Sequence, residues 1–241
     1  RSVNHDLKPL RNALFDLPSV SGGVSGANSR AAPNCWATAA PALHIVLNFT
    51  VESNLRCLNA GERPLHSADL EDLRRMLIFG NGGTGKTWLA REVGVIIKRP
   101  IVHLDDLRWA PGQYGVAREN QLVLSEVIDA GRAEAWLMEG VYGWLVNAVL
   151  SRVTALVWID LPEEECIANV RARGIQGGSE ESFRELIEWV REYRQRENSS
   201  TSYSSHQKLF DACTGSKVIL KSRADIAAYT ESIRAMTASS R

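Results

Sequence analysis

The sequence predicts a three-layer α/β fold in which a parallel β-sheet is covered by helices on both faces. Two observations in the chain from residue 73 onward support this prediction. Short apolar runs alternate with longer helix-forming stretches, which is typical of buried parallel strands joined by helices. A glycine-rich segment follows the first apolar run directly, as expected where a strand passes into a helix at a phosphate-binding loop.

Five apolar runs are predicted to be the strands of this sheet. Their apolar residues are nearly continuous, which indicates burial on both faces. The runs are 76–79, 101–104, 135–138, 155–159 and 217–220. Helical patterns separate them, at 86–97, 117–130, 144–150, 163–173, 180–196 and 223–236, with a further short helix around 206–212. Right-handed crossovers then bring the carboxyl ends of the strands to one edge, where ligands gather.

Residues 1–72 have a different character from residues 73–241. They hold five of the eight prolines and a Ser/Gly/Asn-rich cluster at 19–34, without a sustained helical or strand period. We expect a poorly structured, dispensable N-terminal extension, with a functional polypeptide that could begin near Met76. The alternative is a regulatory or oligomerisation segment. The second part is predicted to be a single domain.

The octapeptide after the first strand matches G-x-x-x-x-G-K-[ST]. Its glycines allow the backbone N–H groups to converge on phosphate oxygens. Lys86 is predicted to reach the β and γ phosphates and Thr87 to bind Mg²⁺. The predicted nucleotide-binding residues are Gly80, Asn81, Gly82, Gly83, Thr84, Gly85, Lys86, Thr87 and Trp88.

Composition narrows the classes of partner. Lys+Arg and Asp+Glu number 28 each, so no overall field favours direct nucleic-acid or membrane binding. The four cysteines are scattered without metal-ligand spacing, and the apolar stretch 35–51 is too short to span a bilayer. These features favour a cytoplasmic protein with buried or idle thiols. The sequence gives no indication of oligomeric state.

Acidic residues follow three of the predicted strands, as Asp105, Glu139 and Asp160. Carboxylates at this edge can hold Mg²⁺ or accept a proton from an attacking hydroxyl. The alternative for each is a helix cap or a turn. Asp160, which precedes Leu161 and Pro162, is predicted to cap the next helix.

Arginines flank a glycine-rich hinge at 174–178 and resemble a closing lid. Arg171 and Arg173 precede the hinge, while Arg191, Arg194 and Arg196 follow it. Cations on a mobile flap would neutralise charge during phosphoryl transfer, and Arg171 and Arg173 are the preferred candidates. The alternative is a solvated, ion-paired helix face.

Other polar and aromatic residues near the strand ends have weaker interpretations. His103 is predicted to be a core residue or a residue supporting the site rather than a catalytic base. Trp109, Tyr114 and Tyr142 could line an acceptor pocket, although packing beneath loops is the commoner role of such aromatics.

Residues from about 74 to 231, two thirds of the chain, resemble the small P-loop kinases of the adenylate kinase-like and DNA topology modulation family. The matching segments are Ile78 to Ala90, His103-Leu104-Asp105 with Trp109 and Pro111, Glu139-Gly140-Val141-Tyr142, and Trp158 to Pro162. The resemblance implies a nucleoside monophosphate kinase fold with strand order 2-3-1-4-5. ATP would bind at the loop, with the acceptor across the cleft.

The resemblance also implies roles for individual residues. Lys86 and Thr87 would contact phosphate and Mg²⁺, Asp105 would face the acceptor, and Glu139 would be the acidic residue of the third strand. The expected function is ATP-dependent transfer of a γ-phosphate to a small acceptor such as a nucleotide or nucleoside. The alternative is a nucleotide-binding regulatory module with little turnover. No N-K-x-D motif for reading guanine occurs in the chain.

Overall fold

A computed structural model describes residues 72–111, 113–176 and 178–239. Five strands form one parallel sheet, in the spatial order β2-β5-β1-β6-β7. They are β1 (Arg75–Gly80), β2 (Ile101–His103), β5 (Trp136–Gly140), β6 (Ala155–Ile159) and β7 (Ser216–Leu220). Numbered along the chain, this is the predicted order 2-3-1-4-5, which is therefore confirmed.

Helices cover the sheet on both faces. Their bounds are α1 (Lys86–Ile96), α2 (Leu104–Arg108), α3 (Asn120–Gly131), α4 (Gly143–Val149), α5 (Glu163–Arg173), α6 (Glu180–Arg191), α7 (Tyr203–Ala212) and α8 (Arg223–Ser239). A 3₁₀ turn at Leu150–Arg152 extends α4. Helix α1 packs against α8, while α3 packs against α4 and α4 against α7. With right-handed crossovers, these two groups lie on opposite faces of the sheet.

The core lies between the central strands and these helices. All residues of β5 and β6 are buried, as are all residues of β1 except Arg75. The rings of Phe79 and Trp158, on neighbouring strands, stack with centroids 5.8 Å apart. Uninterrupted apolar strands in the sequence therefore correspond to strands that are buried on both faces.

Several boundaries differ from the predicted ones. Residue 104 begins α2 instead of ending β2, and a small antiparallel hairpin follows, formed by β3 (Trp109–Ala110) and β4 (Gln113–Ala117). Helix α3 begins at Asn120 because the Glu119 carboxylate accepts hydrogen bonds from the N–H groups of Gln121 and Leu122. Helix α6 ends at Arg191, five residues earlier than predicted.

The first residues of the domain lie before Met76, the expected start of a functional polypeptide, and within the predicted domain at 73–241. Leu73 is buried, and Arg75 is the first β1 residue, paired with Trp136. A polypeptide beginning at Met76 would lack both. Residues 1–71, with the predicted extension, lie outside the described residues.

Two further findings concern the thiols and the membrane. Cys166 and Cys213 are buried free thiols, as predicted for these two, whereas Cys35 and Cys57 fall outside the described ranges. No helix within the described ranges combines the length and apolar character needed to cross a bilayer.

Candidate nucleotide and phosphoryl-transfer site

The glycine-rich loop connects β1 to α1 at the carboxyl edge of the sheet. Gly83 and Gly85 have φ angles of +77° and +93°. Alternating left-handed residues of this kind form a nest, in which successive N–H groups point into one concavity that suits an anion. The first turn of α1, which begins at Lys86, adds the positive end of a helix.

Glycine is required at Gly83 for a steric reason as well. A Cβ atom at this position would overlap the carbonyl oxygen of Cys166 and lie 2.9 Å from Cγ2 of Val170. Both neighbours belong to α5, so the loop contacts this helix directly. The close approach explains why the sequence has glycine where any side chain would push the loop away from α5.

Hydrogen bonds from polar side chains stabilise the conformation of the loop. The Asn81 amide donates to the carbonyl oxygen of Val190 at 2.9 Å and accepts from the N–H of Gly82 at 2.8 Å. The Asn169 amide donates to the carbonyl oxygen of Gly83, and the Thr84 hydroxyl donates to that of Asn81. Asn81 and Thr84 are buried, and their side chains stabilise the loop through these hydrogen bonds. Only their backbone N–H groups are therefore expected to contact a bound phosphate.

Lys86 is buried beside the loop, with its ammonium group donating to the carbonyl oxygen of Asn81 at 2.6 Å. Burial lowers the pKa of Lys86, and the nearby carboxylates of Glu139 and Asp105 oppose this shift. The two carboxylates therefore lie within electrostatic range of the ammonium. This places the predicted phosphate-binding lysine next to both predicted acidic residues.

Glu139 lies near the carboxyl end of β5, the strand between β2 and β1. Its Oε1 accepts a hydrogen bond from the Thr87 hydroxyl at 3.0 Å and lies 2.7 Å from Nδ1 of His103. Its Oε2 is buried and has no hydrogen-bond partner among the described residues. A buried carboxylate oxygen without a donor is costly, which makes it a natural position for a cation or its bound water.

Thr87 and Glu139 therefore fit Mg²⁺. The Thr87 hydroxyl can donate its hydrogen to Glu139 and still offer a lone pair to a metal ion. Within the described ranges no group of three or more His, Cys, Asp or Glu side chains is arranged to hold a metal. Magnesium at phosphoryl-transfer sites commonly takes one or two protein ligands and completes its shell with nucleotide phosphates and water.

Asp105 lies in the first turn of α2, directly after β2. Its Oδ1 accepts a hydrogen bond of 2.6 Å from the hydroxyl of Tyr142, in the loop after β5. Burial raises the pKa of Asp105, while the Tyr142 bond and the charge of Lys86 oppose the rise. A carboxylate with a raised pKa is a better proton acceptor than an ordinary aspartate.

The predicted lid arginines have different environments. Arg171 and Arg173 are exposed at the end of α5, and Gly174 follows with a φ of +73°. Arg173 is close enough to Lys86 to lower the pKa of that lysine, whereas Arg171 acts on Glu188 of α6. Of these two, Arg173 is thus the one associated with the loop.

The three later arginines are held in other interactions. Arg191 pairs with Glu188, and Arg194 bridges Asp160 and Glu163. Arg196 is buried over the ring of Trp189 and donates to the carbonyl oxygen of Thr201. Arg196 therefore does not fit the predicted role on a mobile flap.

The predicted cap by Asp160 is wrong. Helix α5 begins after Pro162 without a side-chain cap, and Asp160 accepts from the guanidinium of Arg194 at 2.7 Å. The Asp160 carboxylate is instead engaged in a charge-assisted hydrogen bond with an arginine distant in sequence, which the local sequence could not indicate. Helix α5 instead carries Glu163, Glu164 and Glu165 in its first turn, which stabilise its positive end.

Trp88 lines a cavity of about 270 Å³ together with Arg223, Ile226 and Ala227 of α8. It is 52% exposed, unusually high for so large an apolar side chain. Nη1 of Arg223 lies 3.6 Å from the position that a Cβ would occupy at Gly85, so the cavity adjoins the loop. Arg223 could not be singled out from the sequence, because nothing local distinguishes it from other surface arginines.

The aromatic residues proposed for an acceptor pocket do not share one environment. Trp109 is buried, with the Arg108 guanidinium 5.7 Å from its ring, which favours the packing interpretation. Tyr142 is buried and reaches the site through its hydroxyl. The side chain of Tyr114 lies outside the described part of the chain.

Comparisons with known proteins gave only distant structural likenesses. No family model and no curated protein sequence matches the chain. A gluconokinase from Sinorhizobium meliloti 1021 superposes with a TM-score of 0.46 at 12% identity, covering 69% of this chain and 93% of its own. Shikimate kinase from Acinetobacter baumannii, solved with shikimate, gives 0.46 at 13%, covering 71% and 97%.

A shikimate kinase from Bacteroides thetaiotaomicron gives a TM-score of 0.40 at 14% identity, covering 68% of this chain and 97% of its own. The α/β fold assignment depends on the strand order and parallel pairing of the chain itself. The resemblance to the adenylate kinase-like and DNA topology modulation family stays a prediction.

Proposed function

We propose that this protein is an ATP-dependent phosphotransferase that moves the γ-phosphate of ATP to a small acceptor such as a nucleotide or nucleoside. One observation carries the proposal. The buried Lys86, which follows the glycine-rich loop, lies within electrostatic range of two carboxylates from neighbouring strand ends, one with an unpartnered oxygen and one with a raised pKa. Phosphoryl transfer needs this combination of cations, metal ligands and a proton acceptor.

In the proposed reaction, the loop N–H groups and Lys86 bind the β and γ phosphates. Asp105 accepts the proton of the acceptor hydroxyl while the oxygen of that hydroxyl bonds to the γ-phosphorus. The bond between that phosphorus and the β,γ-bridging oxygen breaks, and ADP leaves. Magnesium held through Thr87 and Glu139 would neutralise charge on the phosphates. Arg173 would add positive charge near the loop, whereas the position of Arg171 supports this role less.

The cavity beside Trp88 supports a nucleotide in preference to a simple phosphate. It adjoins the loop at Gly85 and offers an indole face, a guanidinium and the aliphatic side chain of Ile226. Such a lining suits stacking against a planar base. The base would then lie beside the first turn of α1, with its phosphates in the loop.

A panel of nucleotides and hydroxyl-bearing metabolites, assayed for ADP release with MgATP, tests the proposal. Asp105→Asn keeps the shape of the side chain, so it should lower turnover by about 10²-fold or more and leave ATP affinity nearly unchanged. Lys86→Ala should abolish transfer. Arg91→Ala removes an exposed positive charge from the same helix and serves as the matched control.

The panel also separates catalysis from simple binding. Tight ATP binding without turnover on any acceptor would favour a regulatory nucleotide-binding module. Equal losses of turnover and ATP affinity in Asp105→Asn would contradict the role of Asp105 as proton acceptor. Unchanged turnover in Lys86→Ala would exclude the loop from the mechanism.

A further inference from the structure

His103 has a position that the proposed reaction leaves unexplained. It ends β2 and is the direct ladder partner of Glu139 on β5, so the two side chains lie on the same face of the sheet. Its Nδ1 is 2.7 Å from Oε1 of Glu139. An ionised carboxylate only accepts hydrogen bonds, so Nδ1 carries the hydrogen in this contact.

The contact fixes one oxygen of Glu139 and leaves the other available. Oε1 receives two donors, the Thr87 hydroxyl and the His103 ring, while Oε2 remains buried without a partner among the described residues. Without the imidazole, the carboxylate could rotate toward Lys86, whose ammonium lies within its electrostatic range. Such a rotation would break the hydrogen bond between Oε1 and the Thr87 hydroxyl and displace Oε2 from its present position.

We propose that His103 is a positioning residue that orients Glu139 for Mg²⁺ bound with the nucleotide. This inference depends on the proposed nucleotide function and adds a residue to its metal site. Removing a hydrogen-bond donor to a metal-ligating side chain commonly lowers metal affinity by about 10- to 100-fold. His103 itself contacts neither the metal nor the phosphates in this assignment.

Two substitutions separate the hydrogen bond from the bulk of the ring. His103→Leu removes the N–H donor and keeps an apolar side chain in the site. His103→Asn keeps an N–H donor near the position of Nδ1. Calorimetric titration with ADP, in EDTA and again in excess Mg²⁺, measures how much the metal strengthens nucleotide binding in each protein.

We expect His103→Leu to lose about tenfold or more of the Mg²⁺-dependent gain in ADP affinity and to keep the affinity measured in EDTA. His103→Asn should retain most of the gain. In a Glu139→Gln background, His103→Leu should have no further effect, because the group that it orients has already been changed. Thermal unfolding of each variant shows whether the domain remains folded.

The contrary outcomes are distinct. An ADP affinity of His103→Leu that equals that of the unaltered protein both in EDTA and in Mg²⁺ would overturn the inference and leave the proposed function intact. An equal loss of affinity in EDTA and in Mg²⁺ would assign His103 a purely structural role and overturn it as well. Failure of the unaltered protein to bind ADP under either condition would refute both the proposed function and this inference.

Discussion

At the scale of single residues, the informative feature of the site is a charged side chain inside an apolar strand. Glu139 is the one ionisable residue of β5 and is almost fully buried. A buried carboxylate persists only where it is paired or serves a ligand. Both hydrogen-bond donors contact Oε1, so Oε2 remains available to a cation.

Tyr142 makes a second residue-scale contribution, through its hydrogen bond to Asp105. The hydroxyl donates to the carboxylate and so favours the ionised form, which lowers the pKa of Asp105 against the effect of burial. Tyr142→Phe removes only this donor. The pKa of Asp105 should therefore rise, and the acid limb of kcat/KM for the acceptor should move to higher pH by about one unit.

The measurement for Tyr142→Phe is the pH profile of kcat/KM at a fixed saturating concentration of MgATP. The bound metal then acts equally on both proteins, so the difference between the two pH profiles measures the effect of the Tyr142 hydroxyl on the pKa of Asp105. At high pH, where Asp105 is ionised in both, the two rates should converge. Profiles with coincident acid limbs would show that Asp105 does not govern the rate.

Sequence reasoning identified the site residues whose signals are local. Lys86 and Thr87 belong to a contiguous motif, and Asp105 and Glu139 follow from strand ends that meet at one edge of the sheet. The hydroxyl of Tyr142 reaching Asp105 could not be predicted, because it depends on one side-chain rotamer across two loops. The ion pair of Asp160 with Arg194 was missed for a similar reason, since its partner lies 34 positions away.

At the scale of elements, the loop is held by the two helices that follow β6. Asn81 bonds to the end of α6, and Asn169 of α5 bonds to the carbonyl oxygen of Gly83. Movement of α5 or α6 would therefore be transmitted to the glycine-rich loop. The sequence suggested a lid in this region, whereas the contacts indicate that the helices carrying it also support the loop.

A buried hydrogen-bond network joins α7 to the strand ends. The Tyr193 hydroxyl accepts from the indole N–H of Trp158 and contacts Nδ1 of His206, and Nε2 of His206 bonds to the carbonyl oxygen of Val141. A carbonyl only accepts, so Nε2 carries the hydrogen and Nδ1 accepts from Tyr193. This neutral tautomer satisfies each of these side chains.

This network makes stability depend on pH. Burial lowers the pKa of His206 from 6.5 to about 3, so the folded state stays neutral while the unfolded state gains a proton below pH 6.5. The contribution is complete above pH 6.5 and is lost as pH falls toward 3. The free energy of unfolding should decrease by up to about 1.4 kcal/mol per pH unit from this group.

His206→Gln tests the assignment, because glutamine does not titrate and can still donate to the carbonyl of Val141. Urea unfolding at pH 7, 6 and 5 should show a shallower loss of stability in the variant, even if it is less stable at pH 7. All other groups titrate alike in both proteins, so the difference in slope belongs to His206. Parallel slopes would mean that the imidazole is not held neutral in the fold.

Helices and strands were predicted closely where the apolar or helical pattern extends over a whole segment, and poorly where the segment is too short to show a pattern. The central strands and α5 were predicted closely, since their apolar or helical patterns are uninterrupted. The hairpin of β3 and β4 has a first strand of only two residues, too short for a period to be read. Helix α6 stops early because the chain beyond it turns inward and buries Tyr193 and Arg196.

At the scale of the whole molecule, alternation of strand and helix predicted the layers but not the order of the strands. The order came from the resemblance to P-loop kinases, and the pairing of β1 with both β5 and β6 agrees with it. Composition alone cannot distinguish the possible orders, because every central strand is equally apolar. The order matters for function, since it places the ends of β2 and β5 beside the loop.

The boundary of the functional unit depends on contacts made by the residues just before Met76. The side chain of Leu73 is 1% exposed, its carbonyl oxygen accepts from Arg99, and the N–H of Arg75 donates to Thr154. A chain starting at Asp72 keeps these contacts and should retain the urea midpoint and MgATP affinity of the full chain. A chain starting at Met76 loses them and should be less stable by about 2–5 kcal/mol, the usual cost of losing a buried leucine. Comparing the three proteins by urea unfolding and calorimetry gives the answer. Loss of folding or nucleotide binding in the chain from Asp72 would show that residues 1–71 belong to the functional unit.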